Sequence, residues 1–202
     1  QDRHSYEIHR RIVASKACDG VIVSTPTLWE VYSRYGKDVY LCPNCVDPGD
    51  WGEPEFAGDV LRIGWAGSPS HVNDLRQLTR ALEWVSEQQD AEVVLVGYNP
   101  EFKFPHTHIP WAHSMAEYRA NLRNARIDVM LCPMTDTTWN RSKSDVKALE
   151  AVMAGGMAVV PPLEPFENWH QRTWICDGAK DWLKAVKYLN RHRDEVQKLQ
   201  AE

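Results

Sequence analysis

From residue 60 onward, short apolar runs alternate with segments of helical period, and this alternation restricts the fold more than any other feature of the chain. The runs LRIGWAG (61–67), EVVLVG (92–97), THIPW (107–111), IDVMLCP (127–133), AVVPP (158–162) and TWIC (173–176) read as strands. Helices are predicted between and after them, over 72–88, 115–124, 144–154 and 179–200, with Leu75, Leu78, Leu82 and Val85 at helical spacing in the first. Runs that are apolar throughout are buried on both faces, which is how strands of a parallel sheet covered by helices appear. The expected fold class is α/β, a Rossmann-like doubly wound parallel sheet.

The first part of the chain differs. It reads as a polar helix (5–16), one strand (20–24), a helix opened by Thr25-Pro26, the run VYLCPN, and the turn-rich stretch CVDPGDWGEPEFAGD. Residues 1–45 are therefore expected to be the tail of a second, largely missing domain, 46–59 a linker, and 60–202 the main domain.

At 202 residues there is room for one full domain and part of another. No apolar run approaches the ~20 residues of a membrane span, and no leader segment is read at the start. The net charge of −5 comes without any concentrated basic surface, which argues against nucleic acid as a partner. Five cysteines, mostly in strand-like runs, suit buried thiols in a reducing cytoplasm. Cys42 and Cys45 form a CxxC with no second pair or spaced histidine to complete a zinc site, and read as structural.

In open α/β sheets ligands lie beyond the carboxyl ends of the strands, so the segments after Gly67, Gly97, Cys132 and Pro162 matter most. Gly67-Ser68-Pro69-Ser70-His71 leads into a helix start, where free N–H groups favour an anion, although on this loop alone an ordinary turn capped by Ser70 is the favoured reading. It is not a GxGxxG. In NRSKSDVKALE (140–150), Lys143, Lys147 and Glu150 fall at i, i+4 and i+7 on one face of a helix starting near Ser144, with Val146, Leu149, Val152 and Met153 expected on the opposite, core-facing stripe. Two lysines so placed repel each other and the helix dipole, by about 0.2–1 kcal/mol each way, and a bound anion reverses that sign. Arg141 adds a planar fork suited to a diphosphate, and Glu150 could accept both hydroxyls of a ribose. A solvated basic helix face is the alternative. Gly155 and Gly156 read as a helix stop, His106, His108 and His113 as loop histidines around Trp111, and most tryptophans as core.

These residues resemble the GT-B glycosyltransferases, particularly retaining enzymes of family 4 type. DGVIVSTPTLWEVY resembles the last strand and helix of the N-terminal domain, LCPNCVDPGDW the interdomain linker, LRIGWAGSPSHVNDL the first strand and loop of the donor domain, and IDVMLCPMTDTTWNRSKSDVKALEAVMAGGMAVV its most specific stretch. The resemblance covers roughly residues 15–190. It implies transfer of a sugar from a nucleoside diphosphate, of the UDP or GDP kind, to a saccharide or other hydroxyl acceptor, without metal or further cofactor. It also implies a site in which Arg141, Lys143 and Lys147 stabilise the diphosphate. Gly67, Ser68, His71, Gly97, Thr138, Asn140, Ser142, Ser144 and Glu150 would bind the donor. Two positions depart from the pattern: Ser142 stands where many members carry a first glutamate, and GSPSHVND lacks the basic residues that often follow the first donor-domain strand. With the acceptor lobe nearly absent, a partner domain or chain is expected to supply it, and a nucleotide-binding or interaction module without turnover is the alternative function. The expected location is cytoplasmic, with membrane-peripheral attachment through missing regions as a variant.

Overall fold

The Thr25 hydroxyl accepts from the Leu28 amide and Pro26 sits in the first turn, which together open helix α1 (Pro26–Ser33). The flanking strands β1 (Gly20–Val23) and β2 (Asp38–Leu41) pair in parallel as a separate two-stranded sheet, with Gly20 opposite Asp38 and Val23 opposite Leu41. This computed structural model describes residues 18–53, 58–171 and 173–201. The helix expected over 5–16 lies outside them.

Six strands form the main sheet: β3 (Leu61–Gly67), β4 (Ala91–Gly97), β5 (Thr107–Ile109), β6 (Val129–Leu131), β7 (Met157–Val160) and β8 (Trp174–Ile175). All pair in parallel, in the order β5-β4-β3-β6-β7-β8. The chain starts at the centre, winds outward to β5, then returns to β6 and winds the other way. The carboxyl ends of β3 and β6 therefore flank the topological switch point, where such sheets hold ligands. The helices are α2 (Val72–Leu75), α3 (Thr79–Ser86), α4 (Met115–Ala125), α5 (Thr138–Arg141), α6 (Val146–Met153), α7 (Ala179–Arg191) and α8 (Arg193–Ala201).

Side chains alternate across the strands and build a core on each face. Leu61, Ile63, Trp65, Val93, Leu95, Val129, Leu131, Met157 and Val159 pack with α3, α7 and α8 on one side. Ala66, Val94, Val96, Met130, Ala158 and Val160 pack with α4, α6 and Trp51 on the other. Trp51, 3% exposed, plugs the linker into this second core. Arg119–Asp50 (3.3 Å) and Arg123 to the Glu53 carbonyl (3.2 Å) fasten the linker to α4.

The elements differ from the expectations mainly at their ends. Strand β5 stops at Ile109 because Pro110 has no N–H to continue the ladder. The helix expected over 72–88 is broken: Arg76–Leu78 form a 3-10 turn between α2 and α3. That tightening aligns Leu75 and Leu78, three apart, on the core, where both are buried. The segment expected over 179–200 breaks at His192, whose ring stacks on Tyr188 (3.9 Å between centroids) while Nδ1 bonds the Tyr188 carbonyl. Among the cysteines, Cys132 and Cys176 are buried, but Cys42 and Cys45 are exposed thiols.

Helix α6 corrects a larger expectation. Its buried side chains are Ala148 and Ala151, whereas Val152 is 47% exposed. The small residues let α6 lie close on the second core, and the face carrying Lys147 and Glu150 turns inward beside them. Of the presumed apolar stripe, Met153 packs against the second core but Val152 does not, because close approach by the alanines sets which face is buried.

Candidate functional site

Strands β3 and β4 end on glycines that touch. A Cβ at Gly97 would stand 2.5 Å from the Gly67 carbonyl oxygen, and Gly97 holds a φ of +93°. A Cβ at Gly67 would meet Trp65 at 2.6 Å and the Lys147 Nζ at 3.1 Å. With no side chains at these ends, a cavity of about 490 Å³ opens above them. Its walls are Gly67, Ser68 and His71 after β3, Val96 and Gly97 on β4, Pro110 to Met115 after β5, Tyr118 on α4, and Lys147 and Glu150 on α6.

Lys147 and Glu150 are one helical turn apart on the inward face. The Lys147 Nζ is buried and has no hydrogen-bond partner; it lies beside Gly67, with the Trp65 ring centroid 5.0 Å away. Burial pushes its pKa down, and Lys143 adds to this, while Cys132, Asp74 and Glu150 act against it. Burial likewise raises the Glu150 carboxyl, opposed by the hydrogen bond from the Tyr118 hydroxyl (3.0 Å) and by Lys147. Burial pushes the adjacent Cys132 thiol up to about 12, which leaves it inert as a nucleophile. A buried ammonium without a partner is costly to fold around.

The loop after β3 is organised by Asp74. One carboxylate oxygen accepts from His71 Nδ1 (2.9 Å), and the other accepts from the Thr135 amide (2.7 Å) and from Asn140 Nδ2 (3.3 Å). Burial would raise the Asp74 pKa, but these bonds hold it at about 2. The same bond would raise His71, yet burial and the charges of Lys147 and Lys143 outweigh it and leave the imidazole below its ordinary value. A depressed carboxylate contributes stability above its unfolded pKa, near 3.9, and loses it as pH falls through the folded value. Asp74→Asn should therefore remove on the order of 2 kcal/mol at neutral pH and flatten the stability curve between about pH 4 and 2, as checked by denaturant melts across that range. An unchanged acid limb in the variant would contradict this reading of Asp74.

Other residues anticipated for the site lie outside the cavity walls. Arg141, exposed, is held in a bidentate pair with Asp136 (2.6 and 2.7 Å). Lys143 precedes α6 instead of sitting in it, 6.0 Å from the Trp139 ring centroid and close enough to act electrostatically on His71 and Lys147. The Thr138 carbonyl accepts from the Ser142 hydroxyl, and Asn140 is buried on Asp74 and the Thr135 carbonyl. The Ser142 carbonyl accepts from Thr25 (3.1 Å), and the Ser144 hydroxyl accepts from Asn44 (2.7 Å), so this segment receives the N-terminal unit. The helix after Gly67 is also short: a 3-10 turn, Pro69–His71, precedes the four residues of α2, and its dipole is correspondingly small.

The sequence reading missed the wall contributed by β5 and α4. Because β5 pairs in parallel with β4, its carboxyl end opens into the same crevice, bringing Trp111, 56% exposed, and His113 to the cavity. The available signal was the S-x-x-E start of α4: Ser114 accepts from the Glu117 amide and Glu117 accepts from the His113 amide, which fixes that loop. Among the described residues no group of three His, Cys, Asp or Glu side chains is arranged to hold a metal ion, and no helix is long and apolar enough to cross a membrane.

No family model and no curated protein matches the sequence. Solved structures do match. TarM of S. aureus superposes with a TM-score of 0.71 at 10% identity, covering 96% of this chain and 41% of that one. Anabaena HepE in complex with UDP and glucose gives 0.67 at 9% identity, with 91% and 56% covered. The C-terminal domain of a group 1 family glycosyl transferase, LpcC of Francisella tularensis, gives 0.58 at 11% identity, with 77% and 93% covered. The chain thus spans roughly half of the larger proteins but nearly all of the isolated C-terminal domain. Strand order, switch point and these likenesses agree: the chain has the GT-B glycosyltransferase fold, in the Rossmann-like form of its C-terminal domain.

Proposed function

We propose that this chain is the donor-binding half of a retaining, metal-independent glycosyltransferase, holding a nucleoside diphosphate sugar in the cavity above Gly67 and Gly97. The observation that carries the reading is the Lys147 ammonium, buried at the cavity wall without a partner, where a diphosphate would supply the missing charge. Glu150, a turn further along α6, is suited to accept the ribose hydroxyls, with Tyr118 fixing its carboxylate. Gly67 and Ser68 let the phosphates approach the backbone. Lys143 reinforces the field from the rim. Arg141, paired with Asp136, stands outside the donor contacts. In the transfer step these preorganised positive groups stabilise the leaving diphosphate, which takes the acceptor hydroxyl's proton. Residues 60–202 form the donor domain, 46–59 the linker, and the unit of β1, α1 and β2 belongs to the acceptor lobe.

UDP is the first nucleotide to test, since HepE was crystallised with it. Titration calorimetry should show UDP binding with micromolar or tighter affinity and weaker binding of uridine, because the diphosphate carries the charge. No binding of UDP, GDP or ADP would contradict the site. The second reading is a nucleotide-holding module without turnover. Sugar transfer or donor hydrolysis by this chain alone would exclude it.

A further inference from the structure

One polar group at the cavity wall has a built-in orientation that donor binding alone does not call for. His71 has 16% of its side chain exposed, and its Nδ1 lies on Asp74, itself 7% exposed and anchored on its other oxygen by Thr135 and Asn140. Those contacts tie the segment after β3 to the segment after β6 and fix the ring plane. They commit Nδ1 to the carboxylate and leave Nε2 as the nitrogen available to the cavity.

We propose that His71 takes up a proton when a nucleoside diphosphate enters and then presents Nε2–H to a phosphate oxygen, with Asp74 as the positioning residue that keeps Nδ1–H in place. The proposal rests on the donor-site reading above. The step balances simply: a proton from solvent adds to the Nε2 lone pair, and no covalent bond breaks. The charged and titratable groups facing the ring account for the switch. Lys147 on α6 and Lys143 before it disfavour imidazolium, Asp74 on the ring's own segment favours it, and Glu150, Tyr118 and His113 line the remaining walls. A bound diphosphate neutralises the two lysines and adds negative charge beside the ring, so the balance tips toward the protonated form. His71 would thereby supply a further donor only when the anion is present.

Titration of UDP into the protein near pH 7.5, in buffers of differing ionisation enthalpy, tests this. The expected result is uptake of about 0.5–1 proton per UDP bound. The nucleotide's own phosphate, which ionises near pH 6, would release a proton beside lysines and so cannot imitate uptake. His71→Gln should abolish the uptake and weaken UDP binding about tenfold at pH 6.5 but less at pH 8.5, a profile that a structural role would not give. In the wild-type protein, the His71 ring-proton shift should titrate below about 6.5 when free and move up by about one pH unit or more with UDP, independently of any variant's folding. UDP that binds in a Lys147-dependent way with no proton uptake, or with uptake that persists in His71→Gln, overturns the proposal and leaves the donor site standing. Absence of UDP binding overturns both.

Discussion

Lys147→Met is expected to make the protein more stable and less able to bind. Methionine keeps the stem that packs near Trp65 and Gly67 but removes an ammonium that is buried without a partner. Several kcal/mol of desolvation are relieved, offset by about 1–2 kcal/mol of lost cation–ring attraction, so a net gain of about 1–3 kcal/mol is predicted, or roughly 2–12 °C in Tm for a chain of this size. UDP affinity should fall about a hundredfold, the cost of one charge-assisted phosphate contact in a buried site. Opposite signs in a thermal melt and a calorimetric titration are the signature of a group retained for binding at the expense of stability. A variant that melts lower and binds as before would show Lys147 to be structural.

Gly97→Ala should have the largest effect in the other direction. The new methyl would sit 2.5 Å from the Gly67 carbonyl oxygen, a backbone atom that cannot step aside, and 3.3 Å from Trp111, with φ at +93°. Left-handed strain of about 1–2 kcal/mol plus the overlap predicts a loss of at least ~3 kcal/mol, read from a denaturant melt. Gly36 provides the control: its φ is +65° and nothing lies within 4 Å of a Cβ, so Gly36→Ala carries the strain alone. Equal losses in the two variants would show that the β3–β4 contact contributes nothing.

Much of the fold was legible because burial on both faces writes itself as continuous apolar runs. LRIGWAG matches β3 at both ends, and the order of strands and helices follows from the alternation. The spacing of Lys147 and Glu150 placed them on one helix face, and both line the cavity. The direction of that face was not legible, because large apolar residues usually mark the core side, and here Ala148 and Ala151 do so while Val152 faces solvent. Pairings distant in sequence were equally hidden. Nothing local links Tyr118 to Glu150, or Asp74 to Thr135 and Asn140. Arg141 illustrates the converse: its charge is plain in the sequence, but its partner Asp136, five residues earlier, takes both prongs of the fork.

The central claim is that the cavity between the glycine ends of β3 and β4 and the inward face of α6 receives a nucleoside diphosphate. A crystal structure of the protein with UDP tests it most directly. The prediction is phosphate oxygens about 3 Å from the Lys147 Nζ, with the ribose hydroxyls on the Glu150 carboxylate. A nucleotide bound elsewhere, with Lys147 still unpartnered, would contradict it.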